Sequence, residues 1–287
     1  MVNFTYLYLG VFSVFISALS FLNILYCYYF KLYININSFI FIFIISLILG
    51  SLIFFKKKDL KKISIYQKIL TVILGYITLP ILLSIPYYLI INNISFLDSY
   101  FEAISGFTTT GFTIFTNIKH LDESLILWRS STQWIGGLYF LISIILLIDI
   151  FDKNLKKSLT NFINFNSNET IKQCFKLSIV YLVLTVIIFL ILYLTDIRSF
   201  SSFNLSLTLI SSGGFLPVNN LELIINTKFK AIILSLSMLI SFFSLFFTYN
   251  LLFFHKRNIN FFSEDLYLGF YLIFLIGFFF LFLNINN

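Results

Sequence analysis

The sequence predicts an all-α polytopic membrane protein, and three observations support that fold class. Of the 287 residues, 59% are hydrophobic and 11% are charged, and the mean hydropathy is +0.97, which lies outside the range of soluble globular domains. Seven apolar stretches have the length of roughly 20 residues that a helix needs to cross a bilayer. Two shorter semi-apolar segments lie between them, and each is followed by a polar, turn-like stretch.

The seven predicted spans are Thr5–Cys27, Ile34–Phe55, Ile69–Ile91, Leu125–Ile150, Phe175–Thr195, Ala231–Phe254 and Leu266–Leu283. The short segments, Phe96–Phe107 and Phe200–Ile210, precede the fourth and sixth spans. Irregular backbone at membrane depth is tolerated only where it packs in protein or lines a wet cavity. We therefore expect each short segment to be a re-entrant half-helix ending at a turn that faces a pore.

Lysine and arginine are distributed unevenly between the two sides of the predicted spans. One side holds 13 of the 19, namely Lys56, Lys57, Lys58, Lys61, Lys62, Lys68, Lys153, Lys156, Lys157, Lys172, Lys176, Lys256 and Arg257. By the positive-inside rule this side is cytoplasmic, so the N-terminus is inside and both half-helices enter from outside. Because these loop lysines explain the net charge of +7, no nucleic-acid partner is expected.

A repeat of 103 residues relates the two short segments and their turns. Phe107–Phe112 lies over Ile210–Phe215 at this shift, and each segment stands between two spans. The repeated unit is span, pore half-helix, filter turn and span. We divide the chain into two leading spans (residues 1–65), a first pore module (66–155), a second (156–258) and the first span of an incomplete third (259–287), with about seven transmembrane helices and two half-helices in all.

The first module carries a specific pair of motifs. Residues 101–112 read FEAISGFTTTGF, and residues 129–137 read RSSTQWIGG. These runs closely resemble the first pore module of the Trk/Ktr family of bacterial potassium uptake proteins, in its pore-forming TrkH/KtrB type of membrane subunit. Ser211–Phe215 resembles the filter of the second module, and the resemblance covers the first half of such a protein.

The resemblance implies a cation pore whose filter turns present backbone carbonyls to the ion. Carried over residue by residue, the filter consists of Thr108, Thr109, Thr110, Gly111 and Phe112 in the first module and Ser211, Ser212, Gly213, Gly214 and Phe215 in the second. Glycine permits the backbone conformation or the close approach that such a turn needs. The half-helices would end at the filter, where their negative dipole ends favour a cation.

Six further residues of the first module are candidates for supporting the pore. Glu102 lies on the half-helix and Arg129 on the next span; both would brace the half-helix or, alternatively, Glu102 would attract the ion directly. Gln133 and Trp134 are interpreted as packing and interfacial anchors. Gly136 and Gly137 would let the pore helices approach closely.

The expected function is transport of potassium ions, or alternatively sodium, through the membrane; the competing hypothesis is a non-conducting scaffold or a truncated remnant of a transporter. No nucleophile–base set, phosphate loop or metal-ligand spacing is present in the sequence, so neither an enzyme, a cofactor nor a metal beyond the transported K⁺ is expected.

The resemblance also implies partners. Expected are membrane lipid, a second-half pore subunit or a second copy of this chain, and a cytosolic nucleotide-binding regulatory subunit of the TrkA/KtrA type. The expected location is the bacterial inner membrane, crossed several times.

Overall fold

A computed structural model describes residues 2–54, 65–147 and 167–242, together with Phe270, Tyr271 and Phe274. The chain divides into two compact units, Met1–Tyr249 and Asn250–Asn287. Nearly all of the second unit, including most of the predicted seventh span, lies outside the described residues. The described part of the first unit is built of helices, which confirms the predicted all-α class.

Eight α-helices follow one another along the described chain. They are α1 (Val2–Tyr29), α2 (Tyr33–Phe54), α3 (Ile65–Ile90), α4 (Phe96–Phe107), α5 (Glu123–Leu147), α6 (Ser167–Tyr193), α7 (Ser199–Ile210) and α8 (Lys228–Phe242). Among the residues described, four helical stretches are long and apolar enough to cross a membrane: Thr5–Tyr29, Tyr33–Ser51, Tyr66–Ile90 and Phe175–Tyr193. The predicted ends of the fourth and sixth spans, at Ile150 and Phe254, lie outside the described ranges.

Large apolar side chains are exposed along these spans, as a lipid-facing surface requires. Ile34, Phe41, Leu182 and Val186 are examples. Because soluble proteins rarely expose contiguous apolar surfaces of this extent, the exposed faces of the spans suit a hydrocarbon environment. The protein is therefore a membrane protein.

The short helix α4 begins and ends at local signals that the sequence contains. Ser95 caps its start by accepting a hydrogen bond from the Asp98 amide at 3.0 Å, and Asp98 places negative charge at the positive end of the helix dipole. The buried face carries Ser99, Glu102, Ala103 and Gly106 at helical spacing. After Phe107 the backbone turns out of the helix, so α4 spans only 12 residues.

The 103-residue repeat is present in the backbone as well as in the sequence. Helices α4 and α7 both have 12 residues and start 103 positions apart. Four of the five described non-glycine residues with positive φ form matching pairs, Asn93 with Asp196 and Thr109 with Ser212. The short 3₁₀ turns that follow, Ile118–His120 and Leu221–Leu223, keep the same shift. The two modules therefore share one path from the start of the half-helix to the loop beyond the turn.

Helix α5 lies at the centre of the described fold. Residues 124–139 are all buried, and long polar side chains on this stretch bond to neighbouring helices. Trp128 Nε1 donates to the Leu83 carbonyl of α3 at 3.0 Å, and Trp134 Nε1 donates to Thr185 Oγ1 of α6 at 2.9 Å. Because α5 also packs against both half-helices, its position fixes the positions of both turns.

Gly75 on α3 makes close packing against Tyr139 of α5 possible. A Cβ atom at Gly75 would overlap the Tyr139 hydroxyl and lie 2.9 Å from ring atom Cε2. Tyr139 is fully buried and donates its hydroxyl to the Val72 carbonyl at 2.8 Å. We expect Gly75→Ala to lower the free energy of unfolding by about 1–3 kcal/mol through overpacking, measured as a lower thermal midpoint of the detergent-solubilised protein.

Tyr139→Phe supplies the matched control for this prediction. It removes the overlapping hydroxyl together with one hydrogen bond, worth about 1 kcal/mol. The double variant Gly75→Ala/Tyr139→Phe should therefore be less destabilised than the sum of the single variants. Strict additivity would show that the hydroxyl does not limit packing at Gly75.

Candidate functional site

The two predicted filter turns meet at their glycines. A Cβ atom on Gly111 would lie 2.7 Å from the Cα atom of Gly214, and one on Gly214 would lie 3.4 Å from the Cα atom of Gly111. The two backbones thus approach as closely as residues without side chains allow. The structure brings together two segments that are separated by about a hundred residues in the sequence.

The amide groups of both turns bond back to the half-helices. The Thr109 and Thr110 amides donate to the Gly106 and Ser105 carbonyls at 3.0 and 3.1 Å. The Ser212 and Gly213 amides donate in the same way to Leu209 and Thr208, both at 2.8 Å. These bonds hold each turn to the end of its own half-helix.

The carbonyl groups of the turns have no such partners. Within the described ranges, no donor bonds to the carbonyl oxygens of residues 108–111 or 211–214. Thr108, Thr110, Ser212 and Gly214 are also exposed. Free carbonyls on an open side can replace the water shell of a cation.

The side-chain hydroxyls of Thr108, Thr110 and Ser211 bond to backbone carbonyls of the half-helices. Thr108 Oγ1 donates to the Ile104 carbonyl at 2.7 Å, and Ser211 Oγ, its equivalent in the repeat, donates to the Leu207 carbonyl at 3.0 Å. Ser105 Oγ donates to the Phe112 carbonyl at 2.5 Å. Of the ten predicted filter residues, Phe112 therefore has its carbonyl already engaged by the protein.

The two glycines play different parts. Gly111 has φ = +78°, in the region that a side chain disfavours. Gly214 is not among the residues with positive φ, and its added Cβ would meet the nearest atom at an ordinary contact distance of 3.4 Å. The first turn thus needs glycine for its backbone conformation, whereas the local geometry of the second does not require it.

A buried ion pair between α4 and α5 stabilises the first turn. Arg129 Nε lies 2.8 Å from Glu102 Oε1, and the two side chains are 1% and 0% exposed. The Glu102 carboxylate also accepts from Thr113 Oγ1 at 3.0 Å and from the Ile114 amide at 3.1 Å. Arg129 Nη2 donates to Thr113 Oγ1 at 3.0 Å. The pair therefore ties half-helix α4, helix α5 and the chain leaving the first turn into one network.

Arg129 also contacts the second turn, together with Gln133 one helical turn further along α5. The guanidinium carbon of Arg129 lies 4.2 Å from the centre of the Phe215 ring, a cation–π contact. Gln133 Oε1 accepts a hydrogen bond from the Phe215 amide at 3.2 Å. A Cβ on Gly213 would overlap the Gln133 amide group. One face of α5 in the first module thus positions the turn of the second.

The remaining predicted support residues lie on two faces of α5. A Cβ on Gly136 would overlap the carbonyl of Phe107 at the end of α4, and a Cβ on Gly137 would lie 2.7 Å from Ser211 Cβ at the end of α7. Because neither glycine has a side chain, the end of one half-helix can pack directly against α5 at each of these positions. Trp134 points away from both turns and packs against Tyr181 of α6, with ring centres 5.2 Å apart.

Sequence reasoning did not identify the asparagine pair that joins the loops beyond the turns. Asn219 Oδ1 accepts from the Ile118 amide at 2.7 Å, and Asn219 Nδ2 donates to Asn117 Oδ1 at 2.8 Å. Asn219 corresponds in the repeat to Thr116, so comparing the modules does not single it out. Thr113, which bridges Glu102 and Arg129, was missed for the same reason, because its equivalent is Leu216.

The second module lacks the charged support of the first. At the 103-residue shift, Leu205 and Ile232 replace Glu102 and Arg129, and Leu236 replaces Gln133. Leu205 is buried, whereas Ile232 and Leu236 are exposed on α8. Both members of the ion pair are thus replaced by apolar residues in the second module, so neither charge is present there without its partner.

Comparison with known proteins places this arrangement in one family. A family model described as TrkH, cation transport protein, matches residues 35–285. An uncharacterized cation transporter of Methanocaldococcus jannaschii is 26% identical over 218 residues, which cover 72% of this chain and 44% of the relative. The Trk system potassium uptake protein TrkH of Escherichia coli K12 is 24% identical over 184 residues, covering 60% of this chain and 38% of the relative.

A solved structure shares the fold. The crystal structure of the potassium transporter TrkH from Vibrio parahaemolyticus matches with a TM-score of 0.67 at 21% sequence identity. The match covers 85% of this chain and 51% of that chain. This chain thus spans about half the length of the relatives that it matches.

The contrast between the two glycines leads to a prediction. Gly111→Ala should cost roughly 1–2 kcal/mol of backbone strain, displace the Gly214 backbone and reduce cation flux. Gly214→Ala should fold with a nearly unchanged thermal midpoint and reduce flux less. Flux into proteoliposomes and thermal midpoints of both variants provide the test; equal effects of the two substitutions would contradict the geometry.

The replacement of both Glu102 and Arg129 in the second module leads to a prediction about the stability of the first. Glu102→Leu or Arg129→Ile alone should destabilise the protein by about 3–5 kcal/mol, because each leaves a buried charge unpaired. The double variant Glu102→Leu/Arg129→Ile reproduces the pair of the second module and should be more stable than either single variant. Thermal midpoints of the four proteins form a double-mutant cycle, and additive losses would show that the two side chains do not act as a pair.

Proposed function

The chain belongs to the TrkH family of cation transport proteins, and from this premise we propose that it is a pore-forming subunit for potassium uptake, passing K⁺ through the turns at Gly111 and Gly214. The observation that carries the proposal is the meeting of two turns whose carbonyl oxygens accept no hydrogen bond from the described residues. Both turns retain this feature, so the site offers no particular support for a non-conducting scaffold.

The chemistry of the turns suits a partly dehydrated monovalent cation. Carbonyl oxygens supply partial negative charge without the binding strength of a carboxylate, so an ion can enter and leave. The half-helices α4 and α7 end at the turns, and each C-terminal end adds about half an elementary negative charge. A cation gains from both sources, whereas an anion would be repelled by both.

The roles of the supporting residues follow from their contacts. Glu102 is buried and bonded to Arg129, Thr113 and Ile114, which favours a bracing role over direct attraction of the ion. Gln133 and Arg129 position the second turn through Phe215. These residues would affect transport by holding carbonyls in place, not by touching the ion.

Further subunits belong to the proposal. The pore that we propose also contains turns from a second-half pore subunit or from a second copy of this chain. A cytosolic nucleotide-binding subunit of the TrkA/KtrA type would dock on the basic loops at Lys56–Lys62 and Asn154–Lys172, which lie outside the residues whose side chains the structure describes. The relatives are transporters, and we propose a transporter without enzymatic activity or cofactor, in the bacterial inner membrane with its N-terminus in the cytoplasm.

Potassium-dependent growth tests this function. Expression of the chain, with any companion subunit, should restore growth at low K⁺ to a bacterium that lacks its own uptake systems, and ⁸⁶Rb⁺ should enter the cells. The Gly111→Ala variant, expressed at the same level, should restore growth less well. A correctly inserted complex that neither rescues growth nor takes up ⁸⁶Rb⁺ would refute the proposal.

A further inference from the structure

A series of contacting aromatic rings connects α1 with the end of half-helix α4. The ring centre of Phe12 on α1 lies 4.7 Å from that of Tyr139 on α5, and the Tyr139 ring centre lies 5.0 Å from that of Phe107. All three side chains are buried. Phe107 is the last residue of α4 and directly precedes Thr108, the first residue of the filter turn. Helix α1 therefore reaches the first turn through two intervening side chains.

Helix α1 stands outside the repeated part of the chain. At the 103-residue shift α3 lies over α6, α4 over α7 and α5 over α8, whereas α1 and α2 come before α3. The second module also has Ile179 and Ile210 where the first has Tyr76 and Phe107. Because these aromatic positions are not repeated, α1 should act mainly on the first turn.

The polar ends of two tyrosines hold the rings in place. The Tyr139 hydroxyl donates to the Val72 carbonyl of α3 at 2.8 Å. The Tyr8 ring of α1 lies 5.5 Å from the Tyr139 ring, and its hydroxyl forms a 3.0 Å hydrogen bond with Ser143 Oγ of α5. Close-packed interiors transmit displacement from one side chain to the next. A change at α1 should therefore move the Tyr139 ring against its neighbours.

Phe107 has little room to move independently of Tyr139. The Tyr76 ring of α3 contacts both, with ring centres 5.6 Å from Phe107 and 4.8 Å from Tyr139. On the other side, a Cβ on Gly136 would overlap the Phe107 carbonyl. A displacement of the Tyr139 ring would thus be passed to Phe107 and to the residue that begins the turn.

We propose that α1 positions the first filter turn, because Phe12 acts through Tyr139 and Phe107 on the backbone of residues 108–111. Phe12 is a positioning residue, since two other side chains stand between it and the turn. The consequence for transport rests on the proposed function. The placement of the turn itself can be measured whether or not the complex transports potassium.

Carbonyl NMR of the assembled complex in K⁺ tests the positioning. Labelling with ¹³C-carbonyl glycine and ¹⁵N-phenylalanine selects Gly–Phe peptide bonds, among them those that begin at Gly106, Gly111 and Gly214. Phe12→Leu keeps an apolar side chain but removes the ring, so it should shift the Gly106 and Gly111 signals and affect Gly214 less. A shift of Gly106 with Gly111 unchanged would show that the effect ends in the half-helix, and would overturn the proposal.

Phe39 of α2 provides the matched control. Its side chain is fully buried, like that of Phe12, and its ring lies 5.7 Å from Trp128 of α5. Trp128 precedes Tyr139 by about 16 Å along the helix axis. Phe39→Leu should lower the thermal midpoint about as much as Phe12→Leu and leave the Gly111 signal in place. Equal Gly111 shifts in the two variants would mean that any loss of packing in α1 or α2 moves the turn, which contradicts a specific role for Phe12.

Phe12→Met is a second, milder variant for the case that Phe12→Leu yields too little folded complex. Methionine keeps more of the apolar volume and adapts to irregular space, so the protein should fold. The aromatic contact with Tyr139 is still lost, and the Gly111 signal should shift. An unchanged Gly111 signal in folded Phe12→Met complex would overturn the proposal.

The ratio of ⁸⁶Rb⁺ to ²²Na⁺ uptake separates this proposal from the proposed function. A Gly111 shift together with a lower ratio in Phe12→Leu supports both. A Gly111 shift in a complex whose wild type takes up no ⁸⁶Rb⁺ refutes the potassium pore but supports the positioning. An unchanged signal and an unchanged ratio in a complex that takes up ⁸⁶Rb⁺ overturn the positioning and leave the potassium pore standing.

Discussion

Unpaired carbonyl oxygens at membrane depth are costly, and the arrangement around the two turns follows from that cost. Several other polar groups of the turns bond to the half-helices, whereas the carbonyls of the turns accept no hydrogen bond from the described residues. Amides of residues 109, 110, 212 and 213 bond back to the half-helices, and the hydroxyls of Thr108 and Ser211 do the same. A cation is the natural partner for the oxygens that are left.

Helix α5 packs against both half-helices and thereby positions the two turns. Its residues 124–139 are buried, and the face with Arg129 and Gln133 contacts Thr113, directly after the first turn, and Phe215 of the second turn. The ion pair with Glu102 stabilises the first turn from within its own module, while the Phe215 contacts fix the second turn across the module boundary. This division explains why the second module can lack the ion pair: its turn is positioned by α5 rather than by a charge of its own.

The sequence predicted the fold class and the short helices closely, because length and hydropathy are local signals. The repeat of 103 residues likewise predicted equivalent positions that the backbone shares. The sequence could not show which groups meet across long separations, such as Gln133 with Phe215 or Asn117 with Asn219. Nor could it show that Gly111 has positive φ while Gly214 does not, since both occupy the same place in the repeat. Those features depend on tertiary contacts that differ between the modules.

If the free carbonyls of both turns bind the transported cation, carbonyl NMR of the assembled complex should detect the binding. Labelling with ¹³C-carbonyl glycine and ¹⁵N-phenylalanine selects the five Gly–Phe peptide bonds of the chain, those that begin at Gly106, Gly111, Gly214, Gly269 and Gly277. The Gly106 carbonyl already accepts a hydrogen bond from Thr109 and serves as an internal control. Replacing a large organic cation with K⁺ should shift the Gly111 and Gly214 carbonyl signals and leave that of Gly106 in place. Unchanged Gly111 and Gly214 signals in a complex that transports K⁺ would show that these carbonyls do not bind the ion.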